Sequence, residues 1–271
     1  MGKRLFTITH IFMATVMALL FNACLDETPK DKLEEDKLYT SAINLYINTI
    51  GNLYHQIGGY SDSQGLQGTN RGIYDYNTFS TDEAMLPIRG GDWYDGGFWQ
   101  NLYHHEWTST DLPLLNTWNY LYGSVSLCNH ALYEIDQHKQ LLTDEQYKEY
   151  TAEARGLRAL FYFYIMDMWG NVPLVMQEGV TLEDVKQSTR KKVTTTLINE
   201  LLAAIPYLPN AHSNHEGNYY GRFTRPVAYF LLAKILLNHE VYLHDDTLTF
   251  DINGQKLKAL EACIACCDKI T

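Results

Sequence analysis

Positive charge is scarce in this sequence. Lys and Arg number 21 against 32 Asp and Glu, a formal charge of −11. A phosphate backbone is gripped by clustered Lys and Arg, so the balance argues against nucleic acid as a partner. It argues equally against electrostatic binding to an anionic membrane. Catalytic signatures are missing too: there is no phosphate loop, no serine elbow and no H-E-x-x-H. Of the five cysteines, Cys263 and Cys266 form a C-x-x-C with no second pair or suitably spaced histidine, so no zinc is expected. Cys263 and Cys267, one turn apart, are expected to pack as small apolar residues. His212 and His215 read as part of a solvated loop. Neither a cofactor nor a metal is expected, and the chain does not read as an enzyme.

What is plentiful is aromatic: 20 Tyr, 10 Phe and 5 Trp. Tyr and Trp offer a flat apolar face with a polar tip, which suits wet binding surfaces. With 46% hydrophobic and 20% charged residues, composition is that of a globular chain, not a disordered one.

Lys3 and Arg4 open the chain, and Leu5 to Ala23 hold no Lys, Arg, Asp or Glu. This is the pattern of a secretory signal over residues 1–23, with the small Ala23 before the cut. Cys24 directly after it is expected to be the acylated first residue of a lipoprotein, although Phe21 and Asn22 depart from the small or aliphatic residues usual there. An uncleaved membrane anchor is the alternative, weakened by Thr7, Thr9 and His10. Residues 24–37 form an acidic tether, in which residues 25–36 hold six acids and two lysines.

Residues 38–271 predict an all-α domain. Thr143 and Gln146 form a capping box ahead of Tyr147, Tyr150, Ala154, Leu157, Phe161, Tyr164 and Met168, whose spacing traces one helix face up to Gly170 and Pro173. Gly156, Ala159 and Phe163 add a second strip, so this helix is expected to be buried on two sides. Others are predicted near 38–56, 115–137, 192–205, 225–243 and 256–270. In the fourth of these, Val227, Phe230, Leu231, Ile235 and Leu237 are expected to face inward. The short link between 115–137 and the capped helix predicts antiparallel packing, and successive pairs suggest tetratricopeptide-like stacking.

Residues 57–113 break the pattern. Glycines, Asn, Asp and Ser interrupt any helical period, while aromatic density argues against disorder. Trp93, Tyr94, Phe98, Trp99, Tyr103 and Trp107 crowd its end. An exposed ring can cover the C–H face of a sugar while Asp, Asn and Arg hydrogen-bond its hydroxyl rim. Arg89, Asp92 and Asp95 are placed for the rim, and Trp93 and Tyr94, set among glycines, for the face. Trp99 is included with them, against the alternative that Trp99, Tyr103 and Trp107, spaced by four, are core. Asp92 and Asp95 as a glycosidase pair would need carboxyls about 5–9.5 Å apart across a bond, and nothing else supports that chemistry.

Four motifs resemble the SusD/RagB family of outer-membrane nutrient-binding lipoproteins. They are Cys24-Leu25-Asp26; Ser80-Thr81-Asp82-Glu83 with the run from Arg89 to Gly97; Glu153-Ala154-Arg155-Gly156-Leu157-Arg158-Ala159-Leu160 continuing to Trp169-Gly170-Asn171-Val172-Pro173-Leu174; and residues 204–209 before Gly221-Arg222-Phe223-Thr224-Arg225. The resemblance implies a tetratricopeptide-like helical fold and a lipid anchor on Cys24 at the outer membrane, facing outward. It also implies a SusC-like TonB-dependent transporter as partner and an oligosaccharide or glycan as cargo, or in some members a peptide. A helical-repeat scaffold for a protein partner stays open. Members are considerably longer, so the C-terminal part that adds ligand contacts is expected to be missing here.

Overall fold

Two long helices carry the architecture. A computed structural model describes residues 38–66 and 70–270; the signal sequence, Cys24 and the acidic tether lie outside the described residues. Helix α5 (Leu112–Gln137) and helix α6 (Asp144–Trp169) are joined by a single 3-10 turn, Lys139–Leu141. Trp118 meets Trp169, Tyr122 meets Tyr162, Asn129 meets Arg158 and Asp136 meets Tyr147. One index rises as the other falls, so the pair is antiparallel. Thr143 and Gln146 form the expected capping box, and Gly170 ends α6 at φ 73°. Along α6, Ala154, Leu157, Phe161 and Ile165 are buried on one side and Gly156, Ala159 and Phe163 on another.

The remaining elements pack around this pair. α1 (Ala42–Tyr46), a π turn (Ile47–Gly51) and α2 (Asn52–Gly58) run end to end before it. After it come α7 (Arg190–Ala204), α8 (Arg225–Leu237), α9 (His239–Tyr242) and α10 (Ala259–Cys267). Two small antiparallel sheets interrupt them: β1 (Val172–Pro173) with β2 (Gln187–Ser188), and the hairpin β3 (Thr249–Ile252) with β4 (Gln255–Lys258). The fold is all-α, with tetratricopeptide-like helix pairs. Among the described residues, no helix is long and apolar enough to cross a membrane.

The motif residues of α6 are structural ties. Arg158 donates from Nη1 to Asn129 Oδ1 (2.8 Å) and to the Met176 carbonyl (2.7 Å), and from Nη2 to Glu200, joining α5, α7 and the chain leaving α6. Gly156 has the Phe223 ring where any Cβ would sit. Arg225 donates to the carbonyls of Ile205 (3.0 Å), Pro206 (3.1 Å) and Leu208 (3.0 Å), satisfying acceptors left open where α7 ends.

Several expectations need correction. The helix over 225–243 divides at Asn238, and its Phe230 and Leu237 are exposed, while Ala228, Leu232 and Leu236 are buried instead. An almost wholly apolar helix has no single stripe to read, so periodicity misplaced the inward face. The irregular segment contains two short helices, α3 (Ile73–Phe79) and α4 (Phe98–His104). Cys263 and Cys266 are buried, but Cys267 is exposed.

Candidate functional site

The aromatic segment is built on a small second core. Tyr76 from α3 packs with Trp99 and Leu102 from α4, flanked by Phe79, Leu86, Phe98, Leu114 and Met168. Ahead of α4 the chain makes a tight reversal. Arg89 N–H donates to the Asp92 carbonyl (3.2 Å) and Asp92 N–H to the Arg89 carbonyl (2.9 Å) across Gly90-Gly91, with Gly90 at φ 63°. Two glycines at such a turn admit the left-handed backbone without a steric cost. Trp93 (φ 63°) and Asp95 (φ 41°) take positive φ as well. That conformation costs a non-glycine residue about 1–2 kcal/mol, so packing must hold it.

The packing is visible. The Trp93 ring stands edge-on to Trp99 with centroids 6.1 Å apart. Trp99 Nε1–H donates to Asp95 Oδ2 (2.6 Å), and Arg71 lies 3.3 Å from the other Asp95 oxygen. The Trp99 indole, with Arg71 behind it, holds the Asp95 carboxyl below its usual pKa. Gln100 reaches back to the carbonyls of Leu86 (3.2 Å) and Trp93 (3.4 Å). The result is a rigid foot under an exposed tip: Trp93 is 49% and Tyr94 56% exposed. Arg89 and Asp92 are exposed beside them, and their side chains make no hydrogen bond or ion pair among the described residues.

Trp99 is corrected by this geometry. It is 2% exposed, so it has no face to offer a ligand; it is the floor on which Trp93 leans. Trp107 is corrected in the other direction. α4 ends at His105, which is left-handed at φ 58°, so the four-residue spacing stops before Trp107, and that ring is 41% exposed. Arg71, which fixes Asp95 and also lies 5.6 Å from the Phe98 ring, was not legible in the sequence: no spacing links it to residue 95.

Two hollows flank this segment. One, of about 320 Å³, is lined by Tyr76, Asn77, Ser80, Trp107, Asp167 and Trp169, with Leu114 and Met168 behind. A larger open groove, about 630 Å³, is lined from α2, the loop after it and α5, among others by Tyr60, Asn116 and Asn119. Tyr60 stacks there on His55. We take the aromatic segment as the candidate site because ring faces and hydrogen-bonding side chains converge there. Among the described residues, no group of His, Cys, Asp and Glu could hold a metal ion.

Fold and site together define a helical scaffold that presents exposed aromatic rings beside a glycine reversal. The chain belongs to the SusD-like family described as "Starch-binding associating with outer membrane", whose pattern matches residues 25–237. A SusD-like protein of Bacteroides ovatus is 28% identical over 244 residues, covering 86% of this chain and 40% of that protein. Among solved structures, a laminarin binding SusD-like protein superposes with TM-score 0.61 at 24% identity, over 75% of this chain and 41% of that one. Surface glycan-binding protein A from Bacteroides thetaiotaomicron, in complex with laminarihexaose, superposes with TM-score 0.59 at 20% identity, over 74% and 40%. The chain spans about two fifths of the length of these relatives.

Proposed function

We propose that this chain binds oligosaccharides or glycans at the cell surface without catalysis. In this reading a lipid on Cys24 anchors it to the outer membrane, and its cargo passes to a SusC-like TonB-dependent transporter. One observation carries the binding step: Trp93 and Tyr94 stay exposed while their support, Trp99 and Asp95, is locked. A pyranose has an apolar face for the rings and hydroxyls for Arg89 and Asp92. Family membership and the two glycan-binding neighbours support the same reading.

The test is calorimetric titration with laminarihexaose, maltohexaose and a peptide panel. Binding in the micromolar to millimolar range, about 4–8 kcal/mol, is expected for at least one glycan. The double change Trp93→Ala, Tyr94→Ala should weaken it about tenfold or more without altering the helical circular dichroism. Undiminished affinity in that variant would place the site elsewhere, and heat with peptides alone would replace the cargo class. For the transporter step, a large β-barrel protein should co-purify with the lipidated chain.

A further inference from the structure

We propose that the outer face of α8 and α10 joins two copies of this chain in a two-fold dimer, with α8 of one copy lying on α10 of the other. Such pairing is independent of the glycan-binding reading.

The face is bare and apolar. On α8, Phe230 is 56% and Leu237 62% exposed; on α10, Leu260 is 51% and Ile264 63%; and Val241, just past α8, is 51%. Together these side chains leave on the order of 500 Å² of apolar surface on one pair of helices, a size at which surface patches are often functional. Where helix pairs stack, each outer face is covered by the next pair, and a closing pair is otherwise polar. α8 and α10 are the last helix pair among the described residues, yet their outer positions are apolar.

Register puts these residues on one side. Cys263 Sγ lies 3.4 Å from the Ala233 carbonyl oxygen, so those two positions mark the seam between the helices. The hairpin tip rests on the first half of α8, where the Tyr229 hydroxyl donates to Asn253 Oδ1 (3.0 Å), and β4 leads back from the tip into α10. α10 therefore starts beside the end of α8 and runs antiparallel to it. At about 100° per residue, Phe230 and Leu237 stand about 40–60° round from Ala233. Leu260 and Ile264 stand about 60–100° round from Cys263 in the same rotational sense. In an antiparallel pair, equal senses bring both stripes to the same side.

Charge selects the occupant. Beyond the α8 stripe lies Lys234, whose ammonium is 5.1 Å from the Phe163 ring centre. Beyond the α10 stripe lie Asp268 and Glu261, which keeps one carboxyl oxygen on the Lys258 amide (3.2 Å). All three side chains are exposed. Laying α8 on its own image would set Lys234 against Lys234. Laying it on the second copy's α10 sets Lys234 against Glu261 and packs Phe230 and Leu237 on Ile264 and Leu260. A two-fold contact must be self-complementary, and an apolar centre with opposite charges at its two edges meets that condition. A stable dimer covers about 800 Å² on each partner, with an apolar core inside a polar rim; the patch and its charged edges approach that figure. A lipid surface would use the centre and leave Glu261 and Asp268 without partners.

The experiment is sedimentation velocity of the full chain from about 1 to about 100 µM. A reversible monomer–dimer equilibrium is expected. Phe230→Glu and Ile264→Lys alter exposed side chains and should leave the helical circular dichroism unchanged. Each should weaken the dimer about tenfold or more. An equimolar mixture of the two variants should regain dimer, because position 230 of one then faces position 264 of the other with opposite charge. A mixture as weak as its components would overturn the pairing of α8 with α10. A chain that stays monomeric at about 100 µM would overturn the dimer and leave the face to a different protein chain. Association indifferent to both variants would overturn it as well, by placing the contact elsewhere.

Discussion

Arg222 clasps Glu153 through Nε to Oε1 (3.1 Å) and Nη2 to Oε2 (2.5 Å), across 69 positions of sequence. Glu153 is completely buried and also accepts from the hydroxyls of Tyr46 and Tyr54. Arg222 reaches Glu149 at 3.0 Å, and its guanidinium lies 4.9 Å from the Tyr46 ring and 5.0 Å from the Tyr219 ring. Burial opposes the guanidinium charge, but the Glu153 hydrogen bonds and charge outweigh it and raise its pKa. Removing one partner of a buried pair strands the other, at a cost of about 3–5 kcal/mol. Arg222→Met should therefore lower stability by that amount in urea denaturation. A loss under about 1 kcal/mol would mean that solvent reaches Glu153.

Gly156→Ala should be poorly tolerated. The new methyl meets the Phe223 ring, so that ring or the helix must shift. Overpacking of this kind costs about 1–3 kcal/mol. Phe223→Leu, itself destabilising, should recover part of the Gly156→Ala penalty in a double-mutant cycle. Strict additivity would place the strain elsewhere.

Trp99 and Trp93 should separate cleanly. Trp99→Ala opens the small core and is expected to cost about 3–5 kcal/mol. Trp93→Ala removes a ring that is already half in water and should shift stability far less. Thermal denaturation checks the first effect and glycan titration the second. Equal melting temperatures for the two variants would contradict the assigned roles.

Acid should loosen the contact between α7 and the turn after α9. Lys191 Nζ donates to Asp245 Oδ2 (2.8 Å), and Thr247 Oγ1 donates to Oδ1 (2.6 Å). These hydrogen bonds, that from Lys191 foremost, lower the carboxyl from 3.8 to about 2. A depressed pKa stabilises the fold above the unfolded value, and that contribution disappears as pH falls through the folded one. The melting-temperature gap between wild type and Asp245→Asn should be present at about pH 5 and close towards about pH 2. A gap that is constant with pH would show that the charge of Asp245 contributes nothing.

The long helices were legible because their signals are local. Thr143 with Gln146, the spacing from Tyr147 to Met168 and the stop at Gly170 each act within a turn or two. The hairpin at 249–258 had an equally local signal that went unread: Asn253-Gly254, both at positive φ, between short strands. The site was harder. Glycines around Trp93 marked exposure, but the burial of Trp99 depends on Tyr76 and Met168, which no local period connects to it. The hollow beside Trp107 gathers residues from α3, the loop after α4 and the end of α6, and only the folded chain brings them together.

The Tyr54 hydroxyl has a consequence for how the chain is assembled. It donates to Glu153 and accepts from the Phe223 amide (2.6 Å), partners 99 and 169 positions downstream. In a chain emerging from its N-terminus, α2 can meet α5 first, through Tyr120 and the Gln56 carbonyl, while its tie to Phe223 waits for the rest of the chain. A nascent chain halted before residue 222 should therefore leave the Tyr54–Glu153 corner without Arg222 and the Phe223 amide, and more open to proteases and holdase chaperones than in the finished fold.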